Sequence, residues 1–138
     1  MLIGLFELLS SRSASTAPIN KVPLNRPVFA ALVEPILQQR CVACHGPEKH
    51  KADLRLDTLE ALLKGGQNGP VLKAGHAEES SLLQRILLPL DHDGHMPPES
   101  EPQPTASEMR LLESWINARA PSNVKIADLK PAPTVRIY

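Results

Sequence analysis

Prolines set the limits of the helices that this sequence predicts. A proline fixes its own φ angle and lacks a backbone N–H group, so it fits the first turn of a helix but disrupts the interior. Pro35 therefore separates a turn over 28–33 from a helix that opens at Pro35 and ends near Cys44, before a Gly-Pro stop. Pro89 closes a later helix over 81–88. The prolines thus divide the chain into short helical segments.

Capping boxes mark two further helices. In a capping box, the N-cap side chain and a side chain three residues later each accept a backbone hydrogen bond from the other residue. This spacing occurs at 57–60, where it starts a short helix that ends at Lys64, with Gly65 as the C-terminal cap. It recurs at 105–108 and opens the clearest helix, over 108–119. No segment alternates like a strand, so the sequence predicts an all-α fold with about three to five short helices and long loops.

The chain divides into a compact middle and two less regular ends. A length of 138 residues suits one domain, which we place at 27–120. Residues 1–26 are rich in serine and lack sustained periodicity, which predicts a leader or linker. Their apolar start has no leading Lys or Arg and contains Glu7, so it is a weak export signal. Residues 121–138 are polar with scattered prolines, which predicts a C-terminal linker or tail.

Charge and composition exclude several classes of function. Fifteen basic and fifteen acidic side chains cancel, so no overall field attracts the chain to nucleic acid or to an anionic membrane. No stretch approaches the ~18–20 apolar residues that span a bilayer. Aromatic residues make up only 3%, so the core lacks its usual large side chains. A flat, apolar cofactor at the centre would compensate for that shortage and organise the long loops.

The most informative motif contains the only two cysteines of the chain, in Cys41-Val42-Ala43-Cys44-His45. This is the C-x-x-C-H pattern of haem attachment. Cysteines three apart on a helical turn point the same way and form thioethers with the two vinyl groups of haem. His45 follows at the position from which its imidazole ligates the iron. The motif predicts one covalent haem c, bound by Cys41 and Cys44 and ligated by His45.

Two other chemistries use closely spaced cysteines. A thioredoxin-like redox pair requires a βαβ context, which the sequence lacks. A zinc site built from Cys41, Cys44 and His45 requires a fourth ligand and usually a second closely spaced pair, and the chain has no other cysteine. Both readings are therefore weaker than haem attachment.

Methionine and histidine compete as the second axial ligand of the iron. Met109 lies on the apolar face of the last predicted helix, where core packing is the expected role. Met96 stands in an irregular loop before Pro97 and Pro98, which hold the backbone extended and aim one side chain. We predict Met96 as a thioether ligand of the kind that raises the haem potential. His95 and His92 in the same loop are the rivals, and each of these histidines, like His50 and His76, is otherwise expected to be solvated.

With these residues identified, the chain resembles the c-type cytochrome domains that are abundant in Planctomycetes and Bacteroidetes, over about residues 28–120. The elements of the resemblance are ValGluProIleLeu (33–37), CysValAlaCysHisGly (41–46), LeuArgLeuAspThr (54–58), LeuLysGlyGly (63–66), AsnGlyPro (68–70), SerSerLeuLeu (80–83), ArgIle (85–86), HisMetProPro (95–98) and TrpIle (115–116). So many elements in order are far more specific than the haem motif alone.

The resemblance implies a class I-like monohaem cytochrome c fold, ligation of iron by His45 and Met96, and export for haem attachment. The chain departs from the family pattern at two places. The family usually has a Gly-Ala pair where this chain has Arg119-Ala120, and an acidic residue or Asn where this chain has His76. Neither departure touches the expected ligands.

The sequence as a whole predicts an electron carrier rather than an enzyme. No nucleophile–base pair or paired carboxylates converge on a recognisable site. We expect the domain to exchange electrons with redox partner proteins or fused domains of a larger oxidoreductase or respiratory system, without nucleic acid and in a periplasmic or other extracytoplasmic location. Membrane association is expected only through a leader or parent protein. The alternative is a haem-based sensor or small-ligand-binding domain in which the sixth ligand is labile.

Overall fold

The computed structural model describes residues 23–129. Within that part of the chain there are four α-helices and no β-strand, which confirms the all-α prediction. The helices are α1 (Glu34–Arg40), α2 (Leu59–Lys64), α3 (Ser81–Leu87) and α4 (Ala106–Asn117). None of the helices in this described part has the length and apolar character required to cross a bilayer.

Helix α1 continues directly from a five-residue π-helical turn, Phe29–Val33, which corresponds to the turn predicted at 28–33. Pro35 lies in the first turn of α1, where its missing N–H group costs no hydrogen bond. The helix ends at Arg40 rather than near Cys44, so the predicted end is wrong. The physical reason is that the N–H group of Val42 donates to the carbonyl of Leu37, five residues back (3.0 Å), which turns the chain out of the helix.

The N-cap of helix α2 lies one residue later than predicted. Thr58, not Asp57, is the N-cap, and its hydroxyl accepts a hydrogen bond from the N–H group of Ala61 (3.1 Å). Asp57 is instead paired with Arg55 (2.7 Å). The predicted C-terminal cap at Gly65 is confirmed, with φ at 78°. A side chain there is impossible without rearrangement, because a Cβ atom would lie 2.3 Å from the carbonyl oxygen of Gly69.

Helix α3 follows Ser80, which is buried and stabilises the preceding loop rather than the helix. The N–H group of Lys73 donates to the Ser80 hydroxyl (2.9 Å), and that hydroxyl donates to the carbonyl of His76 (2.9 Å). No capping bond from the Ser80 side chain to α3 is formed. The helix stops at Leu87, two residues before Pro89, close to the predicted end.

Helix α4 carries the predicted capping box. Thr105 accepts from the N–H group of Glu108 (3.1 Å), and Glu108 accepts from the N–H group of Thr105 (2.8 Å). Its C-terminus closes with a Schellman motif, in which Ala120 N–H donates to the Trp115 carbonyl and Arg119 N–H to the Ile116 carbonyl (both 2.9 Å).

One apolar core joins the π-helical turn, the four helices and the loops between them. The rings of Phe29 and Trp115 pack within it with centroids 5.7 Å apart. Its buried hydrophobic members are Val28, Phe29, Val33, Ile36, Leu37, Leu56, Leu62, Ala77, Leu82, Leu83, Ile86, Leu112, Trp115, Ile116 and Ala120. Met109 lies partly buried against this core, as its position on the apolar face of α4 predicts.

The two ends of the described chain run beside each other. The N–H group of Val28 donates to the carbonyl of Val124 (2.8 Å), and those of Ile126 and Ala127 donate to Arg26 and Leu24 (3.1 and 3.0 Å). Residues 124–127 are therefore hydrogen-bonded to the start of the domain. Most of the leader or linker predicted at 1–26 and the second half of the tail predicted at 121–138 lie outside the described residues.

Candidate functional site

The two cysteines and His45 lie on one turn of chain directly after α1. The N–H groups of Cys44 and His45 both donate to the carbonyl of Cys41 (3.2 and 2.9 Å), so the segment keeps a helical spacing although the regular helix has ended. Both thiols are free and partly buried. The turn therefore places the three candidate ligand residues on one helical turn of backbone.

Backbone contacts fix this turn against the loop that follows it. The carbonyl of His45 accepts a hydrogen bond from the N–H group of Leu56 (2.7 Å), and the Gly46 N–H group donates to Lys49 (2.6 Å). A Cβ atom on Gly46 would lie 2.5 Å from the carbonyl oxygen of Val42. Glycine is thus required directly after His45 by the close approach of the turn to itself.

The His45 ring is oriented by one hydrogen bond. Its Nδ1 lies 3.2 Å from the carbonyl oxygen of Leu54, and since a carbonyl only accepts, Nδ1–H is the donor. Nε2 has no hydrogen-bond partner within residues 23–129. Histidines that ligate a metal commonly donate the other ring N–H to a carbonyl, which fixes the tautomer and the direction of the ring. His45 is held in such an arrangement, with Nε2 as the available donor atom.

Burial dominates the acid–base behaviour of Cys41. Desolvation raises the pKa of its thiol to about 11, although the nearby Arg40 guanidinium lowers it; Glu108 raises it further. Reactive cysteines of thioredoxin-like pairs have a lowered pKa, because the thiolate is the nucleophile. The raised pKa of Cys41, together with the lack of a βαβ unit in the described residues, disfavours the redox-pair interpretation.

The zinc interpretation of the motif also lacks a donor set. In residues 23–129, one group of three metal-ligating side chains has its ligand atoms within 4.8 Å of one another, and it consists of His76, Glu78 and Glu79. All three are exposed, and Glu79 is also paired with Lys73. The motif cysteines and His45 do not form such a group, so their arrangement differs from a tetrahedral zinc site.

Met96 lies half-buried in the loop between α3 and α4. Its N–H group donates to the carbonyl of Arg85 (3.2 Å), and Nη1 of the same arginine donates to the carbonyl of Gly94 (3.2 Å). The peptide bond between Met96 and Pro97 is cis. Arg85 thus holds the chain on the N-terminal side of the methionine against α3.

His95, next to Met96, is buried rather than solvated, so the expectation of a solvated side chain is wrong for this residue. It is 7% exposed, and its Nδ1 lies 2.8 Å from the carbonyl oxygen of Leu88. Its Nε2 lies 2.8 Å from Oε1 of Gln103. Both ring nitrogens are therefore engaged, which leaves no atom of His95 free to ligate iron.

The three other histidines outside the motif are exposed, as expected. They are His50, His76 and His92. His92 accepts a hydrogen bond at Nδ1 from the N–H group of Gly94 (2.9 Å). Of the candidate ligands in the loop after α3, the sulfur of Met96 and Nε2 of the exposed His92 thus have no hydrogen bond within the described residues.

The structure brings the two cysteines and His45 together and leaves Met96 on a separate loop. Within residues 23–129 no hydrogen bond joins the motif turn, 41–46, to the loop over 91–104. An ion pair instead joins the helices beside them, because Arg40 contacts Glu108 through two hydrogen bonds (3.1 and 3.2 Å).

Sequence reasoning missed Gln103 and the pair between Arg40 and Glu108. Gln103 stands among prolines, which supply no N–H groups, and a lone amide in such a segment is a signal for side chain to backbone bonding. Arg40 directly precedes the motif, but its partner lies 68 residues away, so no local pattern identifies the pair.

The residues of the motif turn fit a covalently attached haem. They supply two unpaired, partly buried thiols and an imidazole whose Nε2 has no partner in the described part of the chain. Several apolar side chains also pack on the core while keeping some exposed surface; they include Leu32, Leu54, Leu59, Val71, Leu72 and Leu111.

An all-α domain with such a turn, and with a methionine on a separate proline-rich loop, is typical of c-type cytochromes. Residues 41–100, which include both cysteines, His45 and Met96, match the family model described as Planctomycete cytochrome C. This match supports a cytochrome c domain of this type over residues 41–100, and that family implies a covalent haem c and haem-based electron transfer. No curated protein and no solved structure matches the chain significantly.

Proposed function

We propose that this domain transfers single electrons through one haem c that is tethered by Cys41 and Cys44 and ligated by His45 and Met96. The observation that carries the proposal is the orientation of His45, whose Nδ1–H is committed to Leu54 while Nε2 has no partner in the described residues. When bound, the haem supplies an iron that alternates between the ferric and ferrous states.

Each residue of the motif turn has a distinct role in this proposal. Cys41 and Cys44 retain the haem through covalent bonds, so a small core is sufficient to keep it in place. Covalent attachment also suits the buried Cys41 sulfur, because a thioether carries no charge that burial would oppose. His45 is kept at a fixed angle by Leu54, which limits rearrangement when the charge of the iron changes.

Met96 is proposed as the second axial ligand because the geometry of its neighbour removes the main rival. Both ring nitrogens of His95 are occupied, whereas the sulfur of Met96 is a soft ligand without a competing hydrogen bond. A thioether ligand raises the haem potential relative to ligation by two histidines. The domain is therefore proposed to work as a carrier of moderate to high potential.

The proposed setting is a larger oxidoreductase or respiratory system outside the cytoplasm. Its partners are redox proteins or fused domains that give and accept one electron, and nucleic acid is not among them. The balanced charge of the chain supports docking through local patches rather than through a strong overall field. Extracytoplasmic location follows from the place where c-type haem attachment occurs in this family.

The test of this function is the visible and near-infrared spectrum of protein expressed with the c-type haem maturation machinery. We expect a covalently bound, low-spin haem with the ferric methionine–iron band, and we expect Met96→Ala to abolish that band. Met109→Leu is the matched control, since Met109 packs against the core, and it should leave the band unchanged.

Other spectra would contradict parts of the proposal. A low-spin spectrum typical of ligation by two histidines would reject Met96 as a ligand. The haem potential would then be lower than proposed. A high-spin spectrum with rapid binding of small ligands would favour a haem-based sensor. Absence of covalent haem in the wild type would reject the proposal as a whole.

A further inference from the structure

The loop around Met96 is poor in backbone hydrogen-bond donors. Four prolines follow Met96 within eight residues, at 97, 98, 102 and 104, and none has an N–H group. The carbonyl groups in this loop therefore need donors from elsewhere if they are to be satisfied away from water. The segment contains no regular secondary structure that would supply them.

Gln103 supplies these donors from a single side chain. Its Nε2 donates to the carbonyl of Pro97 (3.0 Å) and to that of Pro98 (2.9 Å), and it lies 3.1 Å from the carbonyl of Glu101. Gln103 is partly buried, so these bonds compete less with water than those of a fully exposed amide.

The other end of the same amide contacts the residue on the opposite side of Met96. Oε1 of Gln103 lies 2.8 Å from Nε2 of His95, and the His95 ring is attached through Nδ1 to the carbonyl of Leu88 just after α3. Residues 95 and 97, the two neighbours of Met96, are thus linked through one side chain. That side chain is in turn anchored to the end of a helix.

We propose that Gln103 is the positioning residue for Met96. By bridging the residues before and after it, Gln103 restricts the backbone from which the thioether projects and so decides how readily another ligand displaces it. This inference rests on the proposed ligation by Met96. It goes further because it assigns the resistance of Met96 to displacement by other ligands to a residue seven positions away. That residue does not itself contact the iron.

The test is competition between Met96 and free imidazole for the ferric iron of the haem-loaded protein. In Gln103→Leu the loop loses all these bonds, and we expect the apparent affinity for imidazole to rise about tenfold, which corresponds to the net energy of one or two of them. The methionine–iron band should also disappear at a lower temperature than in the wild type, below the temperature of global unfolding.

Gln84→Leu is the matched control. Gln84 is an exposed glutamine on α3 whose Nε2 donates to a backbone carbonyl, that of Glu78 (2.9 Å), outside the loop. We expect its imidazole affinity to equal that of the wild type. A general loss of stability would lower the unfolding temperature of either variant without changing imidazole affinity at low temperature.

A second variant tests which end of the amide matters and serves if Gln103→Leu does not fold. Gln103→Glu keeps an oxygen for His95 but cannot donate to Pro97 and Pro98, so it should also bind imidazole more tightly than the wild type. Wild-type affinity in the folded Gln103→Leu, or in Gln103→Glu, would overturn the positioning role. If the wild type itself lacks the methionine–iron band, the ligation by Met96 fails instead, which separates the two outcomes.

Discussion

At the scale of single residues, Arg119 occupies a position that favours glycine. It has φ at 71° and stands at the C′ position of the Schellman motif that ends α4. A non-glycine residue in this left-handed region carries a steric cost that glycine avoids. The family pattern has glycine where this chain has Arg119, so the departure seen in the sequence corresponds to backbone strain in the structure.

We therefore predict that Arg119→Gly stabilises the folded domain by about 1 kcal/mol, because the helix end relaxes without losing its hydrogen bonds. Urea unfolding of the haem-loaded protein measures this change. Ala118→Gly is the control, since Ala118 has φ at −76° and gains nothing from a glycine. Equal effects of the two substitutions would show that the strain at Arg119 is already relieved by other contacts.

At the scale of elements, α1 and α4 are joined beside the motif by the pair between Arg40 and Glu108. Burial tends to raise the pKa of Glu108, but hydrogen bonds from Arg40 and Thr105 outweigh it and hold that pKa below its usual value. A carboxyl with a lowered folded-state pKa contributes stability above its unfolded-state pKa, and this contribution is lost as the pH falls.

We predict that Glu108→Gln lowers the free energy of unfolding by about 1 kcal/mol at neutral pH, a value typical of a partly exposed ion pair with good geometry. Glutamine preserves the capping box, so the change isolates the ion pair from the helix cap. The difference from the wild type should fade as the pH falls below about 4, because the unfolded-state glutamate is protonated first and the folded-state one follows at a lower pH.

A double-mutant cycle with Arg40→Gln checks the cause. The two substitutions should be less than additive at neutral pH, and the coupling should vanish in acid. Additive effects at neutral pH would assign the loss to Glu108 alone. The pair of Arg55 and Asp57 is the comparison, and it should show weaker coupling because Arg55 is more exposed to water than Arg40.

At the scale of the whole molecule, the domain is closed by contacts between its two ends. Val28 is buried, and its N–H group is satisfied by the carbonyl of Val124. Two more backbone bonds link 126–127 to residues 24 and 26. The stretch just after 120 thus contributes to the domain through backbone hydrogen bonds that its polar, proline-containing sequence does not predict.

We predict that a chain truncated after Pro121 is less stable than one truncated after Leu129 by about 2 kcal/mol, since a buried N–H group loses its partner and two further bonds are lost. Urea unfolding of the two haem-loaded chains measures the difference, and the haem spectrum should be the same in both. Equal stability would show that 122–129 adds nothing to the fold.

Features built from neighbouring residues were predictable from the sequence. The capping box of Thr105 and Glu108, the glycine cap of α2 and the turn that gathers Cys41, Cys44 and His45 all depend on residues within five positions of one another. Their geometry follows from backbone dihedral angles and short hydrogen bonds, so a local pattern is enough to identify them.

Features built from distant residues were decided by the tertiary structure. His95 was expected in solvent but is buried, because the end of α3 and the Gln103 amide close around it from different parts of the chain. Arg40 finds Glu108 only when α1 and α4 pack together. The sequence by itself thus identified the candidate ligands and the helices near them. Only the fold decided which polar groups lie beside Met96, because that depends on packing between segments that no short-range pattern relates.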